Sequence, residues 1–422
     1  FGSAGWRQRY QSLYWLSQYA SAFPPQRSFD QAKRILDSWF TANSWPHAED
    51  GYAWEDHAVA MRLEGLTTLY LGYQPGDQDH SFMEYRTVPS QSPLIDKDRL
   101  LKQKIAAQMI LDALLLEEFL YSPSFHAHNH SQFHAHALLL FALAFPNMPQ
   151  AAQWRERSLR RLSELLDELF HPDGVSVEQS TAYHLWVIMA SLPEYELIAR
   201  MDSVDPSLKE KFRSVLERAL IVAVHLLTPS GGCVQSGDSP AFPRAEEEVT
   251  VLVKRFLPHT ESPVLHRFVR EDGPPAGVRL FPKGGYLTYR SAGPNERMLF
   301  IDFSPQVHSH GHYDMGSFSF EDRENRWIVD PGGPFNYGTH KRSVLLGSVS
   351  HSVAAPRGLR QAEGHGVVEQ FREAGGVRVF SIRTNVYGAG FLHRRVFAVS
   401  EDLSAFAVRD DFHSEAACPG YI

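Results

Sequence analysis

Residues 271–277 read Glu271-Asp272-Gly273-Pro274-Pro275-Ala276-Gly277, and the chain keeps a different period on each side of that stretch. Before it, apolar residues recur at the 3.6-residue spacing of amphipathic helices, as in Ile105, Met109, Ala113, Leu116 and Leu120, or Leu159, Leu162, Leu165, Leu166 and Leu169. A third run, Leu208, Phe212, Val215, Leu216, Ala219 and Leu220, meets Pro229, Gly231 and Gly232, residues that stop a helix. After the stretch, short segments rich in Val, Ile, Phe and Tyr lie at 285–290, 298–303, 317–321, 327–330, 377–383 and 406–412. Each is bounded by Gly, Pro, Asp or Asn, the pattern of antiparallel strands. The expected fold class is α+β, with a helical domain over 1–272 and an antiparallel β-sandwich over 278–422. Many helices of similar length joined by short loops suit a helical toroid or solenoid.

Composition narrows the function. The 422 residues carry 41 Lys+Arg against 49 Asp+Glu, a net charge of −8, and 43% are hydrophobic. The basic residues are scattered, so nucleic acid and a polybasic membrane contact are not expected partners. The longest uncharged apolar stretch, 137–145, is about half of the ~20 residues that cross a bilayer, and the chain reads as soluble. No charged-then-apolar leader opens the sequence, which starts at Phe1, and export stays undecided on this ground. Cys233 and Cys418 form at most one bridge, and the count fits either redox compartment. Histidine is unusual: it occurs 21 times and bunches.

Three clusters carry chemistry. The first is His126-Ala-His128-Asn129-His130-Ser-Gln132-Phe133-His134-Ala-His136, placed before an apolar helix. Imidazole titrates near neutrality and both binds metals and moves protons, although Asn129 or Ser131 as helix cap with half-exposed histidines accounts for any one of them. The second is Asp173-Gly174-Val-Ser-Val-Glu178-Gln179-Ser180-Thr-Ala-Tyr183-His184. Ser180 or Thr181 can cap a helix whose first turn holds Tyr183 and His184, where unpaired backbone N–H groups favour an ionised phenol. The third is His308-Ser-His310-Gly311-His312-Tyr-Asp314, followed by Asp330-Pro331-Gly332 and Ser350-His351-Ser352. In an extended segment His308, His310 and His312 face one way, and Asp330 and His351 can add ligands from neighbouring elements; two histidines and a carboxylate are a familiar zinc set.

Asn129-His130, Glu178-Gln179-Ser180 with Tyr183-His184, His310-Gly311-His312-Tyr-Asp314 with Ser317-Phe318, Asp330-Pro331-Gly332 and Ser350-His351-Ser352, in that order, resemble the heparinase II/III superfamily of polysaccharide lyases. Gly237-Asp238, Phe281-Pro282-Lys283-Gly284-Gly285-Tyr286 and His393-Arg394-Arg395-Val396 extend the match over both domains. The resemblance implies an incomplete N-terminal (α/α) toroid, a C-terminal two-sheet domain, and a cleft between them for the sugar chain. The resemblance leads one to expect a longer β domain than the residues up to Ile422 provide, and it implies a bacterial periplasmic or secreted location.

It also implies β-elimination next to a uronic acid. Asn129 and His130 would neutralise the uronate carboxylate; Tyr183 would protonate the leaving oxygen and, for one epimer, take the C5 proton; His310 would serve the other epimer. The same resemblance suggests substrate contacts from Glu178, Gln179 and His184. His312, Asp330 and His351 match the metal ligands, usually zinc, with His308 as a substitute. Lys341, Arg342, Arg357 and Arg360, flanking His351, can hold carboxylate or sulfate groups or serve only as solvated loop charge, and Arg342 is the one expected to touch substrate. The expected partner is an acidic polysaccharide, a glycosaminoglycan or a bacterial exopolysaccharide. Two other readings are a metal-dependent glycoside hydrolase with zinc-activated water, and a polysaccharide-binding or export component without turnover.

Overall fold

The structure, a computed structural model, describes residues 4–22, 25–71, 98–125, 129–271, 273–305, 310–333, 339–356, 358–388 and 390–414. Helices fill the first part: α1 (Ala4–Gln11), α2 (Tyr14–Ala22), α3 (Pro25–Ala42), α4 (Asp56–Leu71), α5 (Arg99–Phe119), α6 (Asn129–Ala144) and α7 (Ala151–Leu169). They continue as α8 (Thr181–Ala199), α9 (Pro206–His225), α10 (Ala245–Phe256) and α11 (Pro263–Glu271). Strands begin at Gly277, so helix gives way to strand across the Pro-Gly stretch. Packing groups the chain differently, into compact units Phe1–Glu168 and Leu169–Ile422, and the second unit holds α8 to α11 together with all the strands.

In the first unit α4 packs against α2, α5 and α6. It is buried nearly all round, through Ala58, Val59, Ala60, Leu63 and Leu66, which is why its sequence lacks a polar stripe. Arg62 of α4 is fully buried and grips Asp112 of α5 with two bonds, Nε to Oδ2 at 2.9 Å and NH2 to Oδ1 at 2.6 Å. Its remaining nitrogen donates to Ala53 O at 2.6 Å, and Trp39 and Trp54 cover its faces. A charge this deep is tolerable because every face of the guanidinium is compensated.

In the second unit, α9 packs against α8, α10 and α11. One sheet is the five-stranded meander β1 (Gly277–Phe281), β2 (Tyr286–Arg290), β3 (Arg297–Asp302), β4 (Phe318–Asp322) and β5 (Arg326–Ile328). After the short α12 (His340–Leu345) comes a four-stranded meander of β6 (Gly366–Ala374), β7 (Val377–Thr384), β8 (Phe391–Ser400) and β9 (Phe406–Ser414). All neighbours are antiparallel. Leu287, Leu299, Ile301 and Phe320 of the first sheet share one core with Phe380, Ile382, Phe397 and Val399 of the second, the arrangement of a sandwich.

Each strand expected from the period is present, and three were not anticipated: β1, β6 and β8. The inward positions of β8 begin with His393 and Arg395 before Phe397 and Val399, so its alternation is hidden by buried charge. The histidine triplet is not extended as expected: residues 310–317 form a looped, turn-containing segment between β3 and β4, and His308 lies outside the described residues. His126, His128, Arg357 and Cys418 also lie outside them; Cys233 is buried.

Candidate active site

In the first unit the expected site residues lie at the start of α6, which opens at Asn129, so the histidine cluster runs into the helix. His130 Nδ1 and His134 Nε2 both donate to Asp56 Oδ2, each at 2.8 Å. Asp56 sits at the N-terminus of α4, where unpaired N–H groups also favour a negative charge. Burial works to raise its pKa, but the imidazole bonds outweigh burial and hold the carboxyl well below the usual range. Burial lowers the pKa of His134, and Asp56 fixes the His130 ring, which packs edge-on against His57 at 4.7 Å. Asn129 Oδ1 is buried without a hydrogen-bond partner, an acceptor that protein groups leave unused. His136 is in the core, and burial pushes its pKa down to about 4.

In the second unit Ser180 caps α8 by accepting from Tyr183 N at 3.5 Å, as expected for a serine at that position. Ser239 Oγ meets Ser180 Oγ at 2.9 Å and accepts from Ala182 N at 3.0 Å, tying this helix start to the turn that carries Asp238. Gly237 has φ +59, and a Cβ there would lie 2.3 Å from Gln179 O and 2.4 Å from His310 O. Only glycine lets the three segments close to this distance. Gln179 itself takes φ +52 in a buried position, a backbone conformation held by its surroundings.

The Tyr183 ring lies flat on the His310 ring, with centroids 3.5 Å apart and planes at 17°, and Trp186 meets its edge at 4.6 Å. His310 Nδ1 donates to Asp238 Oδ2 at 3.0 Å, and Nε2 lies 3.5 Å from Glu178 Oε2. Both ring nitrogens thus face carboxylates, which fix the plane of the imidazole. Asp238 is the hub of the site. It also accepts from His312 Nε2 at 2.9 Å and from Arg342, so burial, which would raise its pKa, is outweighed and the carboxyl stays well below the usual range. The sequence offered Asp238 only as a piece of motif, since a Gly-Asp pair is an ordinary turn; its role comes from partners 72 and 74 residues away.

Two expected substrate contacts are placed elsewhere. His184 is in the core: Nδ1 accepts from Ser176 N at 3.1 Å and Nε2 donates to Ala219 O at 3.0 Å. Both ring nitrogens are spent on backbone, and burial lowers the pKa to about 4, so the ring is neutral and does not help ionise Tyr183. Arg342 points inward to Asp238 and is buried, a counter-ion for the hub and not an open anion contact. Lys341 and Arg360 are exposed. Glu178 and Gln179 are both buried, Glu178 against His310.

The candidate metal centre differs from the expected set by one carboxylate: Asp314 stands in the group where Asp330 was expected. Ligand atoms of His312, Asp314 and His351 lie within 4.8 Å of one another. His312 Nδ1 is buried without a hydrogen-bond partner, and the buried Asp314 carboxyl is pushed well above its ordinary pKa by burial and by the charges of Asp302 and Asp330. An unused imidazole nitrogen beside crowded carboxylates is what a divalent cation would relieve, so the donor set fits one. Asp330 Oδ2 lies 2.6 Å from His351 Nδ1, while His351 Nε2 donates to Leu345 O at 2.9 Å. Burial opposes charging that ring, but Asp330 and Asp314 prevail and raise its pKa to about 9. A second group, Glu55, Asp56 and His130, also gathers within 4.8 Å, but there Asp56 is already occupied by two imidazoles.

Matches to known proteins cover both parts of the chain. Residues 90–256 match the heparinase II/III N-terminus and residues 273–419 match the heparinase II/III-like C-terminal domain. A heparin-sulfate lyase of Pedobacter heparinus is 21% identical over 214 residues, 48% of this chain and 31% of that protein. A crystal structure of heparinase III superposes with TM-score 0.80 at 16% identity, covering 99% of this chain and 65% of that one. A heparan sulfate lyase mutant from Pedobacter heparinus gives 0.72 at 16% identity over 97% and 62%. The chain thus spans about a third of the length of the sequence relative and somewhat less than two thirds of the solved structures. With helices followed by antiparallel sheets, and with both halves matched in order, the chain belongs to the heparinase II/III family.

Proposed function

We propose that this chain cleaves a uronate-containing acidic polysaccharide by β-elimination. The observation that carries the reading is the Tyr183 ring stacked on His310, with His310 bracketed by Asp238 and Glu178. The names of its relatives, heparin-sulfate and heparan sulfate lyases, support the reaction class. Asn129, with its unused Oδ1 side and its amide N–H donors, and His130, held by Asp56, neutralise the uronate carboxylate as charge develops on it. Tyr183 or His310, according to the epimer, takes the C5 proton; the C4–O4 bond breaks as the C4–C5 double bond forms; Tyr183 gives a proton to O4. Stacked rings with acidic partners suit that exchange, because the proton leaving one group has a second acceptor nearby.

His312, Asp314 and His351, with Asp330 beside them, hold one divalent cation, and zinc suits the nitrogen and oxygen donors. Its contribution is a fixed positive charge that orders these loops.

The test is ultraviolet absorbance of the unsaturated uronate over a panel of glycosaminoglycans and acidic exopolysaccharides, with wild type and Tyr183→Phe. An absorbance rise lost in the variant by a factor on the order of 10² or more is expected. Reducing ends released without that absorbance would replace the lyase by a metal-dependent hydrolase, and binding without product would replace it by a carbohydrate-binding role.

A further inference from the structure

Arg395 takes no part in the chemistry above, yet one side chain connects both loops of the candidate metal centre to the sandwich. It lies on β8, is buried, and its Nε and NH2 hold Asp410 of β9 at 2.7 and 3.0 Å. The third nitrogen, NH1, donates to Gly316 O and to Ser352 O, each at 2.6 Å. Gly316 lies two residues after Asp314, and Ser352 directly follows His351. Phe318 and Phe397 flank the guanidinium, with ring centroids 5.7 and 6.0 Å from Cζ. Asp410 is anchored in turn by His393 Nε2 at 2.7 Å. A single nitrogen therefore draws together the loop from β3 to β4 and the loop after α12, which are distant in sequence.

We propose that Arg395 is a positioning residue that sets the affinity of the metal centre by fixing the separation of Asp314 and His351. The proposal rests on the metal reading above. Its physical basis is that ligand atoms on two independent loops bind an ion tightly only if their spacing is settled beforehand, and outer partners of a metal site typically change affinity by about 10–100-fold. The role needs a guanidinium: a lysine ammonium cannot span a bidentate carboxylate and two carbonyls at once.

The experiment is zinc binding to the metal-stripped full chain by competition with a chromogenic chelator, alongside unfolding midpoints. Arg395→Lys and Arg395→Gln are compared with Arg378→Gln, which removes another sandwich arginine bonded to Glu373 and Tyr289. The expected result is zinc affinity weaker by about 10–100-fold in both Arg395 variants, with Arg378→Gln less stable but unchanged in affinity. Folded Arg395 variants that bind zinc like wild type, or an equal loss in Arg378→Gln, overturn the proposal. If neither Arg395 variant folds, Asp410→Asn decides, since it keeps the guanidinium and loosens its anchor: a several-fold weaker affinity is expected, and no change overturns the proposal. A wild-type chain that binds no divalent ion removes the metal reading itself, an outcome distinct from the others.

Discussion

Replacing His184 by glutamine is expected to flatten the acid limb of the stability profile and to leave substrate binding alone. The neutral ring accepts from Ser176 N and donates to Ala219 O; a second ring proton would face the Ser176 N–H donor in a buried site. Burial is the main cause of the drop in pKa from 6.5 to about 4. Between those values the unfolded chain binds the proton and the folded chain does not, so stability is full above about pH 6.5 and falls as pH drops toward 4. At 1.36 kcal/mol per unit, a fall of about 2.5 in pKa caps the loss at roughly 3 kcal/mol, of which about 2 kcal/mol has appeared by pH 5. Glutamine can donate and accept without titrating. Urea unfolding of wild type and His184→Gln, followed by circular dichroism from about pH 7.5 to 5, should therefore show the wild type losing about 2 kcal/mol more than the variant. Parallel profiles, or a raised KM at unchanged stability, would refute the core assignment.

Three further outcomes are expected. Arg62→Met strands the fully buried Asp112 carboxylate and should cost the first unit roughly 3–5 kcal/mol in urea unfolding, with part regained when Asp112→Leu is added. Gly237→Ala combines strained backbone, about 1–2 kcal/mol, with overpacking against Gln179 O and His310 O, about 1–3 kcal/mol; Gly388→Ala, at φ +106 with open space around it, should cost only the first part, as thermal midpoints would show. Asp56→Ala unlocks the His130 ring and should lower kcat/KM on an acidic polysaccharide by on the order of 10²-fold while circular dichroism stays unchanged; full activity would remove His130 from the proposed carboxylate contact.

The site was partly legible because some of its geometry is local. Ser180 three residues before Tyr183 is a cap and its helix, and the i, i+2 spacing of His310 and His312 lets both reach one carboxylate, although from a loop and not from the strand expected. The hubs were not legible as hubs. Asp56 looks like an ordinary acidic residue at a helix start, and its partners His130 and His134 are 74 and 78 residues away. Arg342, read as an open anion contact, is turned inward by Asp238, 104 residues distant.

By itself the sequence determined the change from helix to strand across 271–277 and the order of the motifs, because backbone periodicity and turn chemistry act over a few residues. Only the tertiary structure decided which charges are buried and paired: β8 is a strand because His393 and Arg395 find Asp410 on the neighbouring strand. The physical reason is desolvation. A buried charge or imidazole is stable only with a partner, and which residue provides that partner is fixed by segments that meet in space from far apart in the chain.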